Sequence, residues 1–162
     1  MEYSAYLDIE TTGLSPDTSE LTVIGLYIDN GSDERVLQLV GSEIFPSQLI
    51  RAMHTIGTLY TYNGARFDLP FIRAKLDIDL TEYCAHKDLM YSCWKRNLKG
   101  GLKSVERQLG IARELTDVDG WVAVQLWHQY KYHGDEYSLE KLLKYNQEDV
   151  LNLKVLRKRL DV

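Results

Sequence analysis

Residues 5–14 read Ala5-Tyr6-Leu7-Asp8-Ile9-Glu10-Thr11-Thr12-Gly13-Leu14. Ala5, Leu7 and Ile9 alternate with Tyr6, Asp8 and Glu10, the period of a strand with one packed face and one face carrying polar groups. Side chains two apart share a face, so Asp8 and Glu10 point the same way. Leu21 to Asp29 is rich in β-branched and aromatic residues, and Asn30-Gly31 gives a strong hairpin signal before the run Arg35 to Val40. These three runs predict an antiparallel meander.

Further along, strand and helix patterns alternate. Pro46 to Ile56 has helical apolar spacing, Thr58 to Tyr62 reads as a short strand ended by Asn63-Gly64, Phe67 to Leu76 as a helix and His86 to Met90 as a strand. Helices are predicted over Ser92 to Leu98, Leu102 to Leu109, Trp121 to Tyr132 and Ser138 to Leu160, with a loop over Arg113 to Gly120. A meander followed by alternating elements predicts an α/β fold, a mixed five-stranded sheet flanked by helices. No linker, repeat or low-complexity segment interrupts it, so residues 1–162 are expected to form one domain.

With 162 residues, 44% hydrophobic and 27% charged, the composition is that of an ordinary globular protein. No apolar run approaches membrane-spanning length, and Met1 to Ile9 has neither a basic leader nor a small-residue cleavage site. A cytoplasmic protein without a membrane partner is expected. Cys84 and Cys93 lack CxxC spacing, which argues for reduced thiols and against a zinc site.

The net charge of -5 hides an asymmetry: residues 1–82 carry five basic and thirteen acidic side chains, residues 83–162 fourteen and eleven. Between Lys87 and Arg113, seven basic residues face two acidic ones. That stretch could follow a phosphate backbone, although a charged solvated helix face is the commoner reading of such a run. Lys95, Arg96 and Lys99 are its candidate strand contacts, and Trp94 beside them is the best candidate for stacking on a base. Gly100-Gly101-Leu102-Lys103-Ser104 lacks the spacing of a phosphate loop, which excludes an ATPase on that motif. Leu102 to Ile111 also resembles the first helix of a helix-turn-helix, without a second helix at once behind it.

Paired carboxylates on one strand face repel each other unless they sit in water, keep a proton or hold a hard cation, and Mg²⁺ or Mn²⁺ favours such oxygen ligands. Asp68 stands where a strand leads into a helix, a place that also suits a simple helix cap. Tyr145 and Asp149 are four apart and share one face of the last helix, with Asp149 at the margin of the apolar stripe of Leu139, Leu142, Leu143, Val150 and Leu153. Glu148 falls on a different side and is not chosen as a ligand. Asp88 fits a loop cap or a support for the site.

Asp8-Ile9-Glu10-Thr11-Thr12-Gly13-Leu14, Asn63-Gly64-Ala65-Arg66-Phe67-Asp68 and Tyr145-Asn146-Gln147-Glu148-Asp149 resemble, in order, the three motifs of the DEDD, or DnaQ-like, 3′-5′ exonucleases. They span nearly the whole chain. The resemblance implies the ribonuclease H-like fold. Tyr145, four before the last Asp, resembles the DEDDy subclass. His86-Lys87-Asp88-Leu89 and Leu102-Lys103-Ser104-Val105-Glu106 with Leu109-Gly110-Ile111 are similar to the YprB-like branch.

What this resemblance implies is a hydrolase that shortens single-stranded DNA or RNA from a free 3′ end, using two divalent ions, Mg²⁺ or Mn²⁺. Asp8 would bridge both ions, Glu10 and Asp149 would complete the ligands of the first ion, and Asp68 would reach the second ion through water. Tyr145 would orient the attacking water, since an ordinary tyrosine is a poor base. The first strand and Glu10 would hold the terminal hydroxyl, and Leu14 would wedge against the last base. Thr11 and Asn63 are further substrate-contact candidates. YprB-like domains occur joined to other domains, which makes a helicase or repair protein a candidate partner. The competing reading is a non-catalytic nucleic-acid-binding module on the same fold.

Overall fold

The computed structural model describes residues 2–162. Three antiparallel strands come first, β1 (Tyr3–Thr11), β2 (Leu21–Asp29) and β3 (Glu34–Val40). Then follow α1 (Pro46–Met53), β4 (Ile56–Thr61), α2 (Asp68–Leu76), β5 (Ala85–Asp88), α3 (Leu89–Trp94), α4 (Leu102–Leu109), α5 (Gly120–His133) and α6 (Glu136–Leu160). The sheet order is β3-β2-β1-β4-β5, with β1, β4 and β5 parallel. The predicted mixed five-stranded α/β fold is present.

Boundaries moved where tertiary packing outweighs local pattern. The α1 helix stops at Met53 because Ile56, read as helical, starts β4 and is buried in the core. Met90, read as strand, belongs to α3, because the Asp88 carboxylate accepts from Met90 N–H at 3.0 Å and caps that helix. The α4 helix ends at Gly110, in the left-handed region that favours glycine, and no helix follows until Gly120. The helix-turn-helix reading is therefore not realised.

Both faces of the sheet are covered, which corrects the expectation of one polar face on β1. One face packs Leu7, Ile9, Ile24 and Leu26 against Leu49 and Met53 of α1 and Phe71 and Ile72 of α2. The other stacks Tyr27, Tyr6 and Tyr60 at centroid distances of 5.8 and 5.3 Å beneath α6. Val150, Leu153 and Leu156 of α6 close over them, with Leu89 and Cys93 of α3 and Val105 of α4. Arg157 lies over the Tyr60 ring and donates to the Tyr6 hydroxyl, and Lys154 lies over the Tyr27 ring and donates to its hydroxyl, so the aromatic floor carries two organised cations. No described helix is long and apolar enough to cross a membrane.

Candidate active site

Pairing between β1 and β4 runs from Tyr3 to Tyr6 and stops, while β1 continues to Thr11 beside β2. The far end of β1 is thus open on its β4 side. There Ile9 N–H has no strand partner, and Asp68 Oδ2 accepts from it at 3.0 Å. Asp68 is the first residue of α2 and makes no side-chain cap, so the simple helix-cap alternative is not what the structure shows.

Asp8 and Glu10 project toward α6, where Asp149 meets them: one oxygen from each of the three carboxyls lies within 4.8 Å of the others. The register shifts between Glu10 and Thr11, a bulge that ends regular pairing at the site itself. Tyr145 is buried one turn before Asp149. Asp68 stands outside this trio but close enough that its charge and that of Asp149 act on each other.

Crowding acids in a buried place favours their neutral forms. Burial, then the neighbouring Asp149, holds Asp8 and Glu10 well above the usual carboxylate range. Burial pushes Asp68 up to about 7, against the opposing pull of Ile9 N–H. Asp149 is also raised by burial, with Arg113 opposing. Burial and the nearby carboxylates raise the Tyr145 phenol far above its ordinary value, so it stays protonated. A site that resists its own ionisation, built from hard oxygen donors, fits a divalent cation.

Two supports went unread in the sequence. Asn146 is fully buried and donates from Nδ2 to the Asp8 carbonyl at 3.1 Å and to Asp8 Oδ2 at 3.2 Å. Its own Oδ1 accepts from Gln38 Nε2, which also bonds the Leu143 carbonyl. Gly25, opposite Asp8 on β2, leaves the room: a Cβ there would stand 2.0 Å from Asn146 Oδ1. The i, i+3 spacing of Asn146 and Asp149 was the available signal.

The second support is Arg113, which the charge count had placed on a phosphate track. It is buried instead, bonded at 2.6 Å to both Glu106 and Asp149, so it belongs to the site's wall. Glu106 is held in turn by Asn152 Nδ2 at 2.6 Å. Glu148 accepts from Glu114 and Leu115 N–H groups and anchors the Arg113 loop, which accounts for its facing away from the trio. Lys103 Nζ sits 4.6 Å from the Tyr145 ring centre.

The remaining candidates are spread around the rim. Leu14, 87% exposed, stands on the loop after β1. The Thr11 hydroxyl bonds the Gly13 carbonyl at 2.7 Å, and Asn63 takes a positive φ of 61° while its N–H donates to Asp88. Asp88 therefore both caps α3 and ties down the loop that leads to Asp68. Lys95 and Lys99 are exposed, whereas the Arg96 guanidinium is occupied by the Ser92 and Leu160 carbonyls.

The sequence profile of the RNase H superfamily matches residues 5–161. The chain belongs to that superfamily. One relative is the uncharacterized protein YprB of Bacillus subtilis strain 168, 29% identical over 164 residues, covering 91% of this chain and 39% of YprB. The chain thus spans well under half the length of that superfamily relative. Among solved structures, the family B DNA polymerase of the archaeon Pyrobaculum calidifontis superposes with a TM-score of 0.75 at 16% identity, covering 99% of this chain and 24% of the polymerase. The zinc-bound complex of E. coli ExoI with single-stranded DNA superposes at 0.51 with 14% identity, covering 94% and 45%. At those identities the likeness is one of superfamily fold.

Proposed function

We propose that residues 1–162 form a 3′-5′ exonuclease domain of the DEDDy type, in the YprB-like branch, acting on single-stranded DNA or RNA. The observation that carries this reading is the meeting of Asp8, Glu10 and Asp149 oxygens within 4.8 Å at the open end of β1, with Tyr145 one turn away. The YprB likeness and the presence of an exonuclease bound to single-stranded DNA among the fold's neighbours support it.

Asp8, Glu10 and Asp149 would hold one divalent ion, Mg²⁺ or Mn²⁺, and Asp68 with Asp8 would hold a second. Ions held there would supply positive charge at the reacting phosphate and would lower the pKa of water. The chain's own groups do the rest. Tyr145, kept protonated, orients the attacking water through its hydroxyl. The water oxygen bonds to phosphorus and gives up one proton to solvent, the bond to the preceding nucleotide's 3′ oxygen breaks, and that oxygen takes up a proton from solvent as a mononucleotide leaves. Leu14 on its exposed loop separates the last base from its neighbour, and Thr11 and Asn63 line the entry.

The polarity is tested with a 5′-labelled linear strand beside a closed circle of the same sequence in Mn²⁺. Stepwise shortening of the linear strand with an intact circle is expected. Rapid cutting of the circle would overturn the 3′-end reading, and binding without any shortening would leave the non-catalytic module.

A further inference from the structure

The loop that carries Asp68 also carries Arg66, and the structure places Arg66 on an aromatic pair. Its guanidinium carbon lies 5.4 Å from the Trp94 ring centre and 5.8 Å from that of Tyr91. Tyr91 and Trp94 meet edge to face at 5.2 Å on α3. Trp94 remains 42% exposed, an uncommon state for so large an apolar ring. Among the described residues the Arg66 side chain has no carboxylate partner and no hydrogen bond, so its charge faces solvent.

Position makes this cluster more than a surface curiosity. Asp88 bonds the Asn63 and Ala65 N–H groups and caps α3, so one buried carboxylate fixes the Arg66 loop and the Trp94 helix together. Arg66 is two residues from Asp68, which bounds their Cα separation at about 7 Å. The Tyr62 hydroxyl bonds the Gly100 carbonyl at 2.6 Å and draws the segment bearing Lys95 and Lys99 to the same rim. No acidic residue occurs between Asp88 and Glu106, and both of those are buried. Along that segment the rim therefore presents aromatic faces and cations without an exposed carboxylate among them.

We infer that Trp94, with Tyr91 and Arg66, forms a stacking platform for the bases of single-stranded nucleic acid, DNA and RNA alike, just upstream of the nucleotide held at the carboxylates. A ring face ordered by an arginine suits any base, because every base has a π-face, and Lys95 and Lys99 flank it for the backbone. This inference rests on the proposed substrate class of the neighbouring site and adds the place where the rest of the strand lies.

The test measures binding without turnover, by fluorescence anisotropy in EDTA at low salt, with an oligothymidylate of about ten nucleotides and an abasic strand of equal length. Trp94→Ala should weaken oligothymidylate binding about ten-fold, the scale of one lost base stack, and leave abasic binding unchanged. Trp94→Phe should recover most of the loss, and Arg66→Gln, an exposed change that spares the fold, should weaken both strands. Oligouridylate should behave as oligothymidylate does. Wild-type affinity in Trp94→Ala, an equal loss on the abasic strand, or a loss confined to one polymer would each overturn the platform. A wild type that binds through Trp94 but never shortens a strand would refute the exonuclease reading and leave the platform standing.

Discussion

Asp68→Asn in the metal-free protein isolates the repulsion within the site from its chemistry. Asp68 is 4% exposed, and burial pushes its carboxyl up to about 7 despite the hydrogen bond from Ile9 N–H. An unfolded aspartate titrates near about 3.9. Below that pH the group is protonated in both states and costs nothing. As pH rises the unfolded chain ionises first while the folded chain keeps its proton, so stability drains away up to about pH 7 and then levels off. Three pH units correspond to a loss on the order of 4 kcal/mol. An asparagine has no proton to lose, occupies the same volume and still offers Ile9 an acceptor. Urea unfolding in EDTA should therefore give matching stabilities at about pH 4 and an advantage of up to that size for Asp68→Asn at about pH 8. Adding Mn²⁺ should stabilise the wild type more than the variant and close the gap. A variant less stable than wild type at the higher pH in EDTA would refute the reasoning, because ionised Asp68 would then be favoured by its surroundings.

Asp149→Asn should lower both Mn²⁺ affinity and turnover, whereas Tyr145→Phe should bind metal normally and turn over about 10² to 10⁴ times more slowly; calorimetry beside single-turnover kinetics separates them, and a wild-type rate in Tyr145→Phe would remove the tyrosine from the mechanism. Gly25→Ala should displace the Asn146 amide, costing about 1 to 3 kcal/mol and weakening Mn²⁺ binding through Asp8. Unchanged metal affinity in that variant would break the proposed link from β2 to the site. Arg113→Met leaves Glu106 and Asp149 buried without their cation, a loss of about 3 to 5 kcal/mol that should be larger at pH 8 than at pH 5, because burial already raises the Asp149 carboxyl and, without Arg113, it takes up a proton as pH falls. Equal urea midpoints for Arg113→Met and wild type would show that the pair contributes nothing.

What the sequence made legible was what short-range pattern controls. The hairpin at Asn30-Gly31 fixed β2 exactly as expected over Leu21–Asp29, and the i, i+2 and i, i+4 spacings put Asp8 with Glu10 and Tyr145 with Asp149. Groups whose partners lie far along the chain left no such mark. Arg113 finds Asp149 across 36 positions, and Asn146 finds Asp8 across 138. In a count of charges Arg113 was just one more cation near a basic stretch, and only burial reassigns it to the wall of the site. Tyr6 shows the same limit on the scale of a strand, since alternation placed it on the polar face and the stacked Tyr27 and Tyr60 rings bury it under α6.

If the carboxylates gathered at the open end of β1 drive stepwise hydrolysis from a 3′ end with a divalent ion, the reaction must need both that ion and Asp8. The most direct measurement follows a 5′-labelled single strand at single-turnover excess of enzyme, for wild type and Asp8→Asn, in EDTA and after Mn²⁺ is restored. Wild type in Mn²⁺ should give a ladder shortening one nucleotide at a time, and the strand should stay intact in EDTA and with Asp8→Asn. Shortening that persists in EDTA, or at the wild-type rate in Asp8→Asn, would contradict that requirement.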